Sequence, residues 1–354
     1  GTWIFPVEPS IRLVGDTIEY CATHAPKYTP VSVCGYHIRE SGATPAQEMA
    51  YAFSIAKAYA DDAIKRGLSV DEFAGRLSYN FNIFGNIFEQ VCKFRAGRSL
   101  WAKIMKEEYG AEKPGSMWLR MIAAGGGGGL TFEQPEVNIV RGAYYALISA
   151  LSGTQTMALC SYDEAYTIPT EYSARISLRT MQLLVEEMGL AETVDPLAGS
   201  FYVETMTNEM RKKMEEIMAE TDAQGGIVKM VSEGTIQAKV SSQAYLMQRK
   251  IESGEFPMVG VHCYRNEQEE DHPVEFHPYN EADAQVQIDN LKRTRAERDN
   301  TRVDAALSRL RQDAAAGRNV MPALVEAVKA YASVGEMTKE LVNVFGRYQE
   351  PIRF

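Results

Sequence analysis

Several things are scarce in this sequence. Only five cysteines occur among 354 residues (Cys21, Cys34, Cys92, Cys160, Cys263), odd in number and without CxxC spacing. A disulfide framework is excluded, and free thiols in a reducing, cytoplasmic setting are expected instead. The five histidines (His24, His37, His262, His272, His277) show no ligand spacing, although His272 and His277 share an acidic loop, so no metal site is read from them. No apolar run reaches membrane-spanning length and no signal peptide is read. Positive charge is in deficit: 37 Lys and Arg against 47 Asp and Glu leave a net −10. A general affinity for nucleic acid or an anionic membrane is therefore excluded, while one local basic pocket for a phosphorylated ligand is not. The opening Gly1-Thr2-Trp3-Ile4-Phe5-Pro6, apolar and without an initiator methionine, is read as the start of a fragment rather than of a processed chain.

What is present is ordinary globular material, 45% hydrophobic and 24% charged. Its first two thirds repeat one theme of apolar run, loop and amphipathic helix. Val31–Cys34 reads as a buried strand. A helix follows from Thr44 to about Gly67, with Pro45 at its first position and Gln47 completing a capping box. Further strands are expected near Arg76–Phe81, Met117–Ala123 and Gln155–Ser161. Their helices run through Lys93, Arg95 and Lys103, from Pro135 to Leu151, and from Tyr172 to Met188. Strands alternating with helices imply parallel pairing, as an open doubly wound sheet or as half of an eight-stranded barrel. From about Tyr202 the chain reads as helical: Met206–Thr221, Val240–Gly254, Glu281–Ala316 and Met321–Ala332, with a strand at Met258–His262 and a polar loop at Asn266–Tyr279. The charged Asp289–Arg311 reads as one solvated helix.

In parallel α/β architectures chemistry gathers at the C-terminal ends of strands. His37, beside Tyr36, directly follows the first strand and can hydrogen-bond a polarised carbonyl, or can be a packed loop histidine. Arg76 and Ser78 are placed on the second strand and Arg120 on the third; such arginines need an anion or an acidic neighbour. Gly125–Gly129 stands between strand and helix without GxGxxG spacing or a P-loop Lys-Ser/Thr, and suits a flat ligand or cleared space better than a phosphate. Of the adjacent Asp163 and Glu164, one is expected to cap a helix or pair with arginine and the other to face ligand hydroxyls.

Gly35-Tyr36-His37-Ile38-Arg39-Glu40-Ser41-Gly42-Ala43, Phe73-Ala74-Gly75-Arg76-Leu77-Ser78, Phe94-Arg95-Ala96-Gly97-Arg98, Gly153-Thr154-Gln155, Tyr162-Asp163-Glu164-Ala165 and Asp195-Pro196-Leu197-Ala198-Gly199-Ser200 occur in order. Together they resemble the methylmalonyl-CoA mutase family over essentially the whole chain. The resemblance implies the second half of a (β/α)8 TIM barrel over residues 1–215, then a mostly helical region over 216–354. It implies an isomerase: radical carbon-skeleton rearrangement of an acyl-CoA threaded through the barrel, with adenosylcobalamin across its mouth. Carried over by position, His37 hydrogen-bonds the migrating thioester carbonyl beside Tyr36. Glu40, Gly127, Glu164 and Ala165 meet the cofactor, and Arg76, Ser78, Arg120 and Gln155 the CoA substrate.

The departures carry information too. A polar His-Cys-Gln-Thr-Ser after the third-strand arginine is replaced by Ile122-Ala123-Ala124-Gly125-Gly126, and His-Thr-Asn before Asp-Glu by Ala158-Leu159-Cys160. Lost donors and smaller side chains imply a roomier, more apolar acyl pocket and a substrate other than methylmalonyl-CoA, such as a branched or bulkier acyl-CoA. The family's cobalt-ligating Asp-x-His-x-x-Gly does not occur in these residues. The expected partner is therefore a small cobalamin-binding subunit, in a homodimeric or heterotetrameric assembly, and a lone half barrel is expected to be inactive. Two rivals stand beside this reading. One is a catalytically inactive, mutase-like assembly or regulatory subunit; the other is an unrelated barrel enzyme using His37 with Glu164, which lacks a strand-end lysine or nucleophile elbow.

Overall fold

The computed structural model describes residues 4–265 and 275–351. Its strands are β1 (Val31–Cys34), β2 (Leu77–Ile83), β3 (Met121–Gly125) and β4 (Thr156–Leu159). The helices of the sheet-bearing part are α1 (Val7–His24), α2 (Tyr36–Glu40), α3 (Pro45–Lys65), α4 (Val70–Phe73), α5 (Ile87–Glu107), α6 (Val137–Leu151) and α7 (Glu171–Glu186). Then follow α8 (Phe201–Ala223), α9 (Ile227–Ser232), α10 (Thr235–Glu252), α11 (Glu281–Glu297), α12 (Asn300–Ala315), α13 (Met321–Lys329) and α14 (Val334–Phe345). Thr44 caps α3 in the expected capping box, its side chain accepting from the Gln47 N–H.

All four strands are parallel and lie in chain order, with Val31 opposite Leu77, Tyr79 opposite Met121 and Ile122 opposite Thr156. Right-handed crossovers between successive neighbours put α3, α5 and α6 on one face. A doubly wound sheet would reverse its strand order and cover both faces. Along β2, Leu77, Tyr79 and Phe81 are buried, whereas Ser78 and Asn80 are half-buried. Tyr79 and Phe81 stack at 5.8 Å, and Phe53 of α3 and Trp101 of α5 close over them, with Tyr79–Trp101 centroids 5.2 Å apart. The opposite face carries Ser32, Cys34, Ser78, Asn80, Asn82, Ile122, Ala124, Thr156 and Ala158; of these Ser32, Thr156 and Ala158 are exposed and only Asn82 is buried.

β1 ends at Cys34, but β2 continues, so Asn82 has no strand partner on that side. Glu48 of α3 accepts the Asn82 N–H at 2.7 Å, and Lys93 of α5 donates to the Asn82 carbonyl at 2.5 Å. The two charges meet at 2.8 Å with both side chains 0% exposed. Burial pushes the Lys93 ammonium below its ordinary value, and Glu48 opposes that fall.

Three expected features differ. Arg76 closes a 3-10 turn (Ala74–Arg76) ahead of β2, and Pro114–Met117 forms another, so that Arg120 precedes β3 rather than lying on it. Met258–His262 forms a turn, with one isolated bridge between Val259 and Cys263, instead of a strand. The helix expected over Glu281–Ala316 breaks at Arg298, which is extended, and Asp299 caps α12 by accepting the Arg302 N–H. The break lets Arg298 pair with Glu336 through two bonds of 2.6 and 2.8 Å. Residues 266–274 of the expected polar loop, with His272, lie outside the described residues. Residue 215, where the domain division was expected, falls inside α8, whose Met210, Met214 and Met218 share the core beneath the sheet. Helix α1 joins the two parts: buried Asp16 accepts from Arg66 of α3 at 2.6 Å and from the Val320 N–H at 3.0 Å.

Glu48→Ala or Lys93→Met strands the other charge in the core and is expected to cost about 3–5 kcal/mol, seen as a lowered urea midpoint; a loss below about 1 kcal/mol would contradict the clamp. Arg298 and the Ser333 N–H hold the Glu336 carboxyl well below the usual carboxylate range. Its contribution is therefore complete above the ordinary glutamate value of about 4.3 and fades as pH falls below it. Glu336→Gln is expected to lower the thermal midpoint at pH 7 but to matter progressively less on acidification.

Candidate functional site

The C-terminal ends of the four strands bring most of the candidate residues together. Immediately after β1 the chain turns into α2, a single helical turn carrying Tyr36, His37 and Glu40. Tyr36 is half-buried and its ring meets the His37 imidazole edge-on at 5.5 Å; His37 itself is exposed. Glu40 is half-buried. One of its oxygens accepts from the Asn82 side-chain amide and the other from the Gly128 N–H at 2.9 Å.

The glycine run after β3 is shaped by these neighbours. A Cβ on Gly126 would fall 2.2 Å from the Asn82 amide and 2.3 Å from the Glu40 carboxylate, and one on Gly129 2.4 Å from the Tyr145 hydroxyl. Gly127 differs: its nearest neighbour would be Glu164 at 3.7 Å, an ordinary contact. Most of the run is therefore required by packing within the protein, whereas at Gly127 the space a side chain would fill is open at the rim. Beyond β4, Glu164 and Ala165 are exposed beside it, while Asp163 is buried with Oδ1 unpartnered among the described residues. The expectation that one member of this acidic pair caps a helix or binds arginine is not met, since Thr170 caps α7 and no arginine pairs with either carboxylate among the described residues.

Cys160 lies on this rim. Its sulfur lies 4.0 Å from the Tyr36 hydroxyl, and the Glu164 carboxylate disfavours its thiolate. Burial and Glu164 push the thiol up to about 12. Burial, Cys160 and Glu40 likewise raise Tyr36 well above the ordinary phenol range. Both groups are neutral donors at physiological pH.

Arg76, Ser78, Arg120 and Gln155 lie at the other end of the strands. Arg76 is half-buried with no ion pair among the described residues. Arg120 lies over the Trp118 ring at 5.8 Å, and its buried Nε has no partner among the described residues. The structural ion pairs weighed as the common explanation are absent from both. Ser78 donates to the Val31 carbonyl at 3.3 Å, and Gln155 accepts the Met121 N–H at 2.9 Å, so each is partly engaged in holding the sheet.

Residues 1–347 match the family model described as methylmalonyl-CoA mutase. The chain belongs to the methylmalonyl-CoA mutase family. It is 42% identical over 349 residues to a 2-hydroxyisobutanoyl-CoA mutase large subunit of Aquincola tertiaricarbonis, covering 98% of this chain and 62% of that one. It is 41% identical over 354 residues to a methylmalonyl-CoA mutase of Cereibacter sphaeroides (100% and 50%), and 36% over 351 residues to the mitochondrial enzyme of Homo sapiens (99% and 46%). The chain thus spans about half the length of the curated relatives it matches. Four of the six motif runs map onto strand ends, while Phe94–Arg98 lies within α5 and Asp195–Ser200 ahead of α8, where Arg95 pairs with Asp195 at 2.9 Å.

The replaced residues also sort by face. Ile122, Ala124 and Ala158 stand on the open face, whereas Ala123 is buried among the helices and Leu159 packs toward Gly142 of α6. Asn82 went unnoticed as a rim residue; the alternating polar Ser78-Asn80-Asn82 was the signal available for it.

Gly126→Ala is expected to destabilise by about 1–3 kcal/mol, because Asn82 is buried and cannot yield. Gly127→Ala should stay within about 0.5 kcal/mol. Equal thermal midpoints for the two variants would refute this division of the loop.

Proposed function

We propose that these four units form the second half of a (β/α)8 barrel in an adenosylcobalamin-dependent acyl-CoA mutase large subunit. The observation that carries this reading is the two-ended open face. Two guanidinium groups without carboxylate partners stand at the N-terminal strand ends, and tyrosine, histidine and carboxylates stand at the C-terminal ends. Between them, small and polar side chains run along roughly 20 Å of strand. That face suits an extended acyl-CoA, with Arg76 and Arg120 on its phosphates and Ser78 and Gln155 along its arm.

The side-chain-free Gly127, exposed Ala165 and exposed Glu164 offer a flat, small-residue rim that fits a corrin, with Glu40 and Glu164 toward the adenosyl group. Bound there, adenosylcobalamin supplies a carbon-centred radical for hydrogen-atom transfer. The protein's own tasks are holding and shielding. His37 hydrogen-bonds the thioester carbonyl, Tyr36 forms the wall beside it, and the Asn82–Glu40–Gly128 links, anchored on buried Asn82, keep the rim rigid. No side-chain cluster with metal-ligand geometry occurs among the described residues, and in this reading the cobalt ligand comes from a small subunit. The likeness to a large subunit of a 2-hydroxyisobutanoyl-CoA mutase supports that partner and a branched acyl group. Ile122, Ala124 and Ala158 supply room and no hydrogen bonds, so the substrate is one other than methylmalonyl-CoA.

The test combines the full-length polypeptide containing this chain with candidate small subunits and adenosylcobalamin, and screens acyl-CoAs for isomer formation. Cofactor-dependent rearrangement of a branched acyl-CoA is expected, with His37→Ala lowering kcat roughly 100-fold and Arg76→Ala acting mainly on KM. Absence of rearrangement with every acyl-CoA would overturn the assignment in favour of an inactive assembly subunit. Equal turnover of methylmalonyl-CoA would overturn the substrate part alone.

A further inference from the structure

The turn that carries His37 rests against a helix of the C-terminal region. α2 is a single helical turn, and just beyond it Gly42 takes φ +111°, where a side chain would be strained. A Cβ at Gly42 would fall 2.4 Å from the Ala244 Cβ of α10, 2.8 Å from its Cα and 3.2 Å from its backbone nitrogen. Main chain therefore lies directly on main chain here, and neither side can yield as a long side chain would. Gly42 is also tied into the turn. Its N–H donates to the Arg39 carbonyl at 2.9 Å, and Ser41 donates to the His37 carbonyl from its N–H at 3.0 Å and its hydroxyl at 2.8 Å. Ile38, next to His37, packs on an apolar cluster that Tyr51 of α3 makes with Met230 of α9 and with Ile236 and Val240 of α10. Two separate contacts thus brace the turn on α10. The exposed His37 ring makes no hydrogen bond among the described residues, so its place follows that of its backbone.

We propose that Ala244 is a positioning residue: its methyl group, pressed on Gly42, sets how the α2 turn is seated and hence where His37 meets a bound acyl group. The consequence for catalysis rests on the mutase reading, because only there does His37 touch substrate. The contact itself does not depend on that reading. Alanine suits the place: glycine would leave a gap behind the turn, and a branched side chain would drive into the Gly42 backbone. Since Gly42 and Ser41 are bonded back to Arg39 and His37, a push at Gly42 is passed along the turn. Arg76 and Arg120 stand at the opposite strand ends, so the CoA portion of a substrate should be held as before.

Two measurements on the full-length polypeptide test this, using Ala244→Val, Ala244→Ser and, as a control, Tyr245→Val at an exposed neighbour on the same helix. The first is hydrogen exchange followed by mass spectrometry. Ala244→Val should speed exchange several-fold in the peptide covering residues 36–43 and leave the one covering 77–83 unchanged, while Tyr245→Val matches the parent in both. Equal acceleration of both peptides, or of neither, overturns the proposal. The second is adenosylcobalamin-dependent isomerisation. Ala244→Val should lower kcat roughly tenfold with KM for acyl-CoA changed less than about twofold; Ala244→Ser, close to alanine in volume, should stay within about threefold of the parent. An unchanged kcat in Ala244→Val, or a KM that rises in step with the fall in kcat, refutes positioning. If the parent shows no isomerisation with any acyl-CoA, the mutase reading fails, and hydrogen exchange still decides whether α10 braces the turn.

Discussion

A single buried ion pair organises the site-bearing half of this fold. Glu48 and Lys93 come from two crossover helices and meet beneath the sheet, where each also satisfies one backbone group of Asn82. The need arises from the strand lengths. β1 stops at Cys34 while β2 runs on, and a backbone amide and carbonyl left unpaired in the core would cost several kcal/mol. Replacing the missing strand by charged side chains frees the chain after Cys34 to turn at once into α2. Asn82, fixed by its backbone, then holds Glu40 with its side chain, and Glu40 holds the glycine loop. A chain of three hydrogen bonds thus runs from the core to the rim.

That construction separates the rigid from the available. Asn82, Gly126 and Gly128 are occupied with each other, whereas His37, Gly127, Glu164 and Ala165 face outward on the same edge. At the opposite edge Arg76 and Arg120 carry charge without acidic neighbours among the described residues. Two surface depressions on the helical side, lined by Tyr51, Glu220 and Lys239 and by Arg95, Asp195 and Glu204, lie away from both edges. The proposed function draws on the open face of the sheet between these two edges.

Helical and strand periodicity, caps and turn residues were legible where local chemistry controls them. Thr44-Pro45-x-Gln47 announced α3, and Val31–Cys34 announced β1. Local signals failed where a distant partner decides the outcome. Arg298 leaves its helix because Glu336, far along the chain, offers two bonds that a continuous helix could not reach. Helix α1 went unread; its Asp16 is buried because Arg66 and the Val320 amide meet it there.

By itself, the sequence determined the alternating α/β order, the family and the small set of polar residues able to do chemistry, since these depend on residue type and short spacing. Tertiary structure alone decided that the crossovers share one face and that the glycine run is shaped mainly by internal packing. It alone decided that Cys160 comes to lie beside Tyr36, and that Leu159 packs toward Gly142 and not onto the open face. Those outcomes depend on which way a side chain leaves its strand and on what arrives from 40 to 130 residues away, and no local pattern encodes either.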